Sequence, residues 1–119
     1  MTSEPAAREW WTEDAMDAPN LLVIKVGPSG QRARRARATL QPDASDEHLW
    51  HLRNVATDTG FERQGWGRHL LEAVRAWAAP GGFTVRTLGA TNEADGFYVA
   101  CGCRLDDDVD EYIVAGPGL

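Results

Sequence analysis

The spacing of apolar positions changes along the chain, and it predicts where strands and helices lie. Residues 21–26, LLVIKV, form a β-branched apolar run that is followed by the turn signal GPSG and by residues 31–40, QRARRARATL. This pattern is typical of a hairpin. Residues 48–57 predict a third strand. Its alternation of apolar and polar positions breaks near Leu49 and Trp50, where we expect a bulge.

A helix is predicted from Gly67 to about Ala79, because apolar residues recur there at helical spacing and the sequence PGG then stops the helix. Residues 83–91 predict a fourth strand and residues 93–102 a short helix. The sequences CRL and EYIVA predict a terminal hairpin around DDDVD. The order β-β-β-α-β-α-β-β predicts an α+β fold with a central mixed, mostly antiparallel sheet flanked by helices.

The N-terminal segment, residues 1–19, is polar and acidic apart from Trp10, Trp11 and Met16. It predicts a short helix from about Pro5 to Ala15, or a segment that remains partly loose. The two adjacent tryptophans predict that this segment docks on the body of the domain or on a second subunit.

Length, apolar runs and net charge limit the kinds of protein this chain can be. A length of 119 residues fits one domain, 1–119, with a real core. No apolar run approaches the roughly 20 residues that span a bilayer, so we expect no membrane segment. The N-terminus lacks the basic start and apolar stretch of a secretory signal, which favours a cytoplasmic protein. The net charge of -6 argues against nonspecific binding to nucleic acid.

Three smaller clusters have simple interpretations. Cys101 and Cys103 are too close for an ordinary disulfide and lack C-x-x-C spacing, so we expect buried free thiols rather than a reactive pair. The acidic run from Asp106 to Asp108 is read as a solvated turn, and we expect no metal. The arginines of residues 31–40 fall on both faces of their strand and are either solvated or in contact with an anion or acidic partner.

The sequence FERQGWGRHLLEAV, residues 61–74, places Gly65 and Gly67 directly before the predicted helix. Glycines let consecutive backbone N–H groups point inward, and a helix N-terminus adds partial positive charge, so the loop suits a phosphate. A simple turn would use the same residues. No Gly-Lys-Ser/Thr follows, and the pattern is not G-x-G-x-x-G, which excludes a P-loop and the dinucleotide fingerprint.

The segment VATDTGFERQGWGRHLLEAV resembles motif A of the GNAT superfamily of N-acetyltransferases, whose pattern is Q/R-x-x-G-x-G/A. Downstream, EADGFYVACGCR resembles the last motif of that family, with Ala94, Phe97-Tyr98 and Gly102 at its positions. Two motifs in the right order are more specific than either alone. The chain departs from the pattern at Glu62, Cys103 and Thr91. A carboxylate at Glu62 suits a pyrophosphate only if its side chain points away.

The resemblance implies that acetyl-CoA is the co-substrate, that no metal is needed, and that the acetyl group passes directly to an amine. It also implies that backbone groups of the third predicted strand pair with the pantetheine arm, and that the glycine loop holds the pyrophosphate. The implied cofactor-binding residues are Val55, Ala56, Thr57, Arg63, Gln64, Gly65, Trp66, Gly67, Arg68 and Asn92.

The same resemblance implies the catalytic groups. Tyr98 matches the family's tyrosine, which gives a proton to the CoA sulfur, although a Tyr packed under the sheet is the alternative. His51 occupies the position at which one branch of the family carries a glutamate base, and a surface or core histidine is the alternative. Glu93 is a reserve candidate, while His48 and His69 are less favourable. A backbone N–H near Val55 or Ala56 is the expected oxyanion donor.

Members of this family usually begin with a strand and two helices that wall the acceptor site, whereas about 20 residues precede Leu21 here. We therefore expect a short, N-terminally reduced member whose wall is one helix or comes from a second subunit, as in a homodimer. The acceptor is then an amine of a small molecule, peptide or protein. The alternatives are a catalytically silent acetyl-CoA-binding module that regulates a partner protein, and a dimeric interaction domain without a ligand.

Overall fold

The computed structural model describes residues 8–16, 18, 20–87, 95–106, 108–109 and 111–117. A 3₁₀ turn follows the first helix. The regular elements, in chain order, are β1 (Arg8–Asp14), β2 (Leu22–Pro28), β3 (Ala36–Pro42), β4 (Leu49–Thr57), α1 (Trp66–Ala78), β5 (Thr84–Thr87), α2 (Asp95–Ala100), β6 (Arg104–Asp106) and β7 (Glu111–Ala115).

The described strands form one seven-stranded mixed sheet in the order β1-β2-β3-β4-β5-β7-β6. Neighbouring strands are antiparallel except for β4 and β5, which α1 connects as a crossover. The predicted α+β class and the predicted order of elements from β2 onward are therefore confirmed. Within the described ranges, no helix has the length and apolar character needed to cross a bilayer.

Helix α1 covers one face of the sheet. Its buried residues are Leu70, Leu71, Ala73, Val74 and Ala78. They form one buried cluster with alternate residues of the strands, whose side chains point toward the helix. These strand residues are Ile24, Val26, Ala38, Leu40, Leu52, Val85 and Val114. Each large aliphatic side chain removed from water in this way contributes about 1.5–3 kcal/mol. This core fixes which side of every strand faces the helix, and hence which side chains face the opposite way.

The N-terminal prediction was wrong, because residues 8–14 form a strand rather than part of a helix. Strand β1 pairs antiparallel with β2, and Trp11 lies opposite Lys25. Trp11 is 7% exposed, and its indole N–H donates to the carboxylate of Glu13 at 2.8 Å. An isolated helix of this length would be only marginally stable, whereas the edge of β2 offers this segment backbone hydrogen bonds within a packed sheet.

The predicted bulge also lies elsewhere. The pairing near Leu49 and Trp50 is regular, whereas the register between β3 and β4 shifts between Arg37 and Thr39. On β4 the shift falls at Asn54, whose φ of 57° is left-handed. In addition, β3 begins at Ala36 rather than at residue 31, because residues 29–35 form the turn of the hairpin.

Candidate active site

The parallel strands β4 and β5 are paired only over part of the length of β4. The pairs run from Leu49 with Thr84 to Leu52 with Thr87, while β4 continues to Thr57. Residues 88–94, which include the predicted cofactor residue Asn92 and the reserve candidate Glu93, lie outside the described ranges. Residues 53–57 therefore present a strand edge that no described strand pairs on this side. Such an edge can accept an extended ligand as an added strand.

The loop between β4 and α1 turns its backbone N–H groups toward one place. Arg63 and Gly65 have left-handed φ values of 64° and 87°, one residue apart, which is the alternation that gathers N–H groups into an anion-binding concavity. Within the described chain, the N–H groups of residues 64–68 have no hydrogen-bond acceptor, and the first bond of the helix runs from His69 N–H to the Gly65 carbonyl at 3.1 Å. The partial positive charge of the α1 N-terminus adds to them.

A cleft of about 330 Å³ joins this loop to helix α2. A Cβ on Gly67 would lie 3.1 Å from the ring of Phe97, so the glycine allows α1 and α2 to approach closely. The lining residues come from both sequence motifs: Thr57, Phe61, Glu62, Arg63, Gly65, Trp66, Gly67, Arg68, Phe97, Ala100 and Cys101. The two motifs therefore form one cleft.

The charges at this cleft favour an anion. Arg63 and Arg68 are exposed and, among the described residues, make no ion pair with a carboxylate. The carboxylate of Glu62 accepts the backbone N–H of Gly60 at 2.9 Å, so it is held by its own loop. This bond engages one carboxylate oxygen, but Glu62 still lines the cleft, so its compatibility with a nearby phosphate stays a prediction. Its charge is still present at the cleft and weakens the attraction.

Tyr98 is packed in the core, with 6% of its surface exposed. Its ring stacks on that of Tyr112 at a centroid distance of 5.2 Å and meets Phe97 edge to face. Burial raises the pKa of Tyr98, and Coulombic interaction with the sulfurs of Cys103 and Cys101 raises it further. Its hydroxyl makes no hydrogen bond to any described residue. The phenol is thus kept protonated, as a proton donor must be, but packing alone also accounts for its position.

His51 lies on the face of the sheet opposite α1. Its neighbour Trp50 points toward the helix and meets Trp77 edge to face at 5.0 Å, so the alternation of β4 turns His51 the other way. Nε2 of His51 lies 2.8 Å from Oδ1 of Asp43, and its Nδ1 is buried with no hydrogen-bond partner among the described residues. No described helix covers this face near His51.

Asp43 holds the imidazole from the loop that precedes β4. Its other carboxylate oxygen accepts three bonds of 3.0 Å, from the backbone N–H and hydroxyl of Ser45 and from the N–H of Asp46. The bond with His51, followed by those with Ser45, holds the pKa of Asp43 well below its usual range. In the neutral form of the imidazole, a proton on Nε2 would be donated to this carboxylate, which leaves Nδ1 as the nitrogen with the lone pair.

The two catalytic candidates flank the point where the β4–β5 pairing ends. His51 directly precedes Leu52, the last paired residue of β4. Tyr98 stacks on Tyr112, whose N–H donates to Oγ1 of Thr87, the partner of Leu52. The structure thus brings both candidates to one end of the parallel pair, on opposite faces of the sheet.

Sequence reasoning missed two residues that shape the site, Asp43 and Arg75. Asp43 is one, and the register that pairs Gln41 with His51 in the β3–β4 hairpin was the signal that could have found it. Arg75 is the other: its guanidinium donates to the carbonyls of Val114 at 2.8 Å and Cys101 at 2.6 Å, and to Sγ of Cys103. This one side chain of α1 ties the end of α2 to β7.

The cysteine pair and the acidic run that stood out in the sequence have structural roles among the described residues. Cys101 and Cys103 are free and buried, as predicted, and burial raises the pKa of both thiols. In the part of the chain that is described, no group of three or more His, Cys, Asp or Glu could hold a metal. Asp107, in the acidic run, lies outside that part. Asp106 forms an ion pair with Arg86 at 2.8 Å.

Comparisons with known proteins agree with this geometry. A family model described as an acetyltransferase (GNAT) domain matches residues 19–102. A Lactobacillus plantarum crystal structure described as an N-acetyltransferase is 27% identical, with a TM-score of 0.62 and coverage of 85% of this chain and 70% of that one.

Two Escherichia coli structures share the fold at lower identity. A GNAT family N-acetyltransferase in complex with CoA is 17% identical, with a TM-score of 0.63 over 88% of this chain and 73% of that one. The ribosomal-protein-S18-alanine N-acetyltransferase is also 17% identical, with a TM-score of 0.62 over 95% and 99% of the two chains. No curated protein sequence matches the chain.

Proposed function

Because the chain belongs to the GNAT acetyltransferase family, we propose that it moves an acetyl group from acetyl-CoA directly to an amine of a small molecule, peptide or protein. The observation that carries this proposal is the convergence, at one cleft, of the unbonded N–H groups of the glycine loop, two arginines that form no ion pair with a described carboxylate, and the open edge of β4. The N–H groups and arginines suit the doubly charged pyrophosphate of CoA, and the open strand edge suits its extended, amide-bearing pantetheine arm.

The donor substrate would bind through backbone groups above all. The N–H groups of residues 64–68, with the guanidinium groups of Arg63 and Arg68, would hold the pyrophosphate, while Val55, Ala56 and Thr57 would pair with the pantetheine amides. Asn92 remains a predicted contact. Backbone recognition explains why the chain tolerates Glu62 at the head of the loop, since the carboxylate is engaged by Gly60.

The reaction needs a base, an oxyanion donor and an acid. The amine nitrogen attacks the thioester carbonyl carbon, so a C–N bond forms and the C–S bond breaks. Nδ1 of His51 would take the proton that the amine loses, and a backbone N–H near Val55 or Ala56 would stabilise the oxyanion. The hydroxyl of Tyr98 would protonate the departing thiolate. Because Nδ1 is buried in this structure, the imidazole must shift before it can reach an acceptor.

Binding and catalysis are tested separately. Acetyl-CoA at 100 times its Kd should raise the free energy of unfolding by about 2.7 kcal/mol. His51→Ala and Tyr98→Phe should each slow the release of free CoA with an amine panel while acetyl-CoA still raises the melting temperature. His48→Ala, at an exposed histidine, is the control and should turn over normally. The proposed base and acid are wrong if both variants match the wild-type rate.

A second function is favoured by one observation. The buried Nδ1 of His51 and the buried ring of Tyr98 suit a domain that binds acetyl-CoA without turnover and regulates a partner protein. This alternative predicts a thermal shift with acetyl-CoA, no free CoA released against any amine, and a partner that co-purifies. Absence of a thermal shift at millimolar acetyl-CoA would contradict both functions and favour an interaction domain without a ligand.

A further inference from the structure

Arg35 contacts a residue that lines the cleft, although it belongs to a different part of the chain. It directly precedes β3, and its Cζ atom lies 4.0 Å from the ring centroid of Phe61, which lines the cleft. The carbonyl of Arg35 accepts the N–H of Asp58 at 2.8 Å, and Nε of Arg34 donates to the Asp58 carboxylate at 2.8 Å. These bonds fix the backbone of residues 34–35 against the loop that leads to Gly65.

The charge of Arg35 is free to act on a ligand. Arg34 is neutralised by Asp58, whereas Arg35 makes no ion pair with any described carboxylate. The one hydrogen bond that its side chain makes to a described residue is a long contact of 3.5 Å from Nη1 to the Arg34 carbonyl. A guanidinium that rests on an aromatic face keeps the N–H groups of its edge available, and its planar fork matches phosphate oxygens.

The charge of the donor substrate exceeds what the glycine loop provides. The pyrophosphate of CoA carries two negative charges, for which the loop offers Arg63, Arg68 and the N–H groups of residues 64–68. The separate 3′-phosphomonoester of CoA carries about 1.5 to 2 further negative charges at pH 7, by analogy with other phosphomonoesters. A cation beyond those of the loop would stabilise this group when it is bound. Arg35, which comes from outside the loop and helix, lies on Phe61 beside the cleft and can supply such a cation.

We propose that Arg35, seated on Phe61, binds the 3′-phosphate of CoA and so makes the chain select CoA over its 3′-dephospho form. This inference rests on the proposed function, because it presumes that the cleft holds CoA. It adds a residue from the hairpin between β2 and β3 to a site otherwise built from the β4–α1 loop and α2.

The test is calorimetric titration of CoA and of 3′-dephospho-CoA into the wild-type chain and into Arg35→Gln. The wild type should bind CoA about tenfold more tightly than dephospho-CoA, as one charge-assisted contact allows. Arg35→Gln should bind dephospho-CoA as the wild type does and lose most of the preference for CoA. Arg37→Gln is the matched control and should keep that preference, since among the described residues the Phe61 ring is contacted by Arg35 and not by Arg37.

Each outcome decides the matter. Equal affinities of the wild type for both ligands would overturn the role of Arg35 but leave the proposed function intact. So would an Arg35→Gln defect that is the same for both ligands, because that defect would act through the fold of the loop. No binding of either ligand would overturn the proposed function as well. If Arg35→Gln does not fold, Arg35→Lys should fold and show a reduced preference that added salt abolishes.

Discussion

Nε2 of His51 and Oδ1 of Asp43 lie 2.8 Å apart, which links strand β4 to the loop that precedes it. The carboxylate is itself held by Ser45 and Asp46, so it is a fixed partner and not a mobile surface charge. The pair sets the tautomer of the imidazole, and with it the nitrogen that is free to take a proton. Asp43 is therefore a positioning residue for the proposed base.

Asp43→Asn should lower kcat by about tenfold or more, within the 10²–10⁴-fold that a general base contributes. An amide can donate to Nε2 and so allows the wrong tautomer, while the Kd for acetyl-CoA should not change. The measurement is kcat and Kd with an amine that the wild type acetylates. Asp46→Asn, a carboxylate of the same loop that does not touch His51, is the control. Equal kcat values for the two variants would show that the pair has only a structural role.

The same carboxylate makes stability depend on pH. The pKa of Asp43 is lowered in the folded protein, first by the bond with His51, whereas an unfolded Asp titrates near about 3.9. A group whose folded pKa lies below its unfolded pKa stabilises the fold above the unfolded value and loses that contribution as the pH falls through the folded value. The urea midpoint should therefore fall between pH 5 and pH 2, and more steeply in the wild type than in Asp43→Asn. Parallel curves would contradict the assignment.

Gly65 is required by its backbone conformation. Its φ is 87°, a region in which an L-residue costs about 1–2 kcal/mol, so Gly65→Ala should destabilise the fold by about that amount. Gly96→Ala is the matched control. Gly96 lies in α2 and an added Cβ meets no atom within 4 Å, so alanine should be neutral or stabilise by up to about 1 kcal/mol. Urea unfolding of both variants measures the difference, and equal effects would refute the argument.

Glu62→Gln should tighten the binding of acetyl-CoA by about two- to fivefold at low salt, because it removes a negative charge beside the proposed pyrophosphate site. The amide oxygen of Gln can still accept the N–H of Gly60, so the loop should keep its shape. Titrations at low and high salt measure the change, which should shrink as salt is added. Weaker binding by Glu62→Gln would mean that the carboxylate supports the ligand and does not repel it.

Periodicity predicted the elements whose burial is local in sequence. Helix α1 lies within one residue of its predicted bounds, because its apolar residues recur at the spacing of a helix and not of a strand. The sequence of β1, REWWTED, has no comparable pattern. It forms a strand because it pairs with the open edge of β2, a long-range partner that spacing along one segment does not reveal. The bulge at Asn54 likewise depends on the register of two strands.

In the candidate site, too, features local in sequence were predicted and contacts between distant segments were not. The loop from Arg63 to Arg68 was predicted as a pyrophosphate site through its glycines and the family resemblance, and it stays a prediction. Its N–H groups have no acceptor among the described residues. The contacts of His51 with Asp43 and of Arg35 with Phe61 were not predicted. Each joins side chains from different segments, and their meeting is decided by hairpin register and loop packing rather than by any motif.

The guanidinium of Arg75 has a consequence for how the molecule opens. Helix α2 has six residues, too few to be stable alone, yet the carbonyl of Cys101 at its end is bonded by the side chain that also bonds Val114 in β7. Unwinding α2 therefore breaks a contact that belongs to the sheet. We expect the amide hydrogens of Cys101 and Cys103 to exchange with solvent at the slow rate of β7, as parts of one cooperative unit, and not at the rate of a frayed helix end.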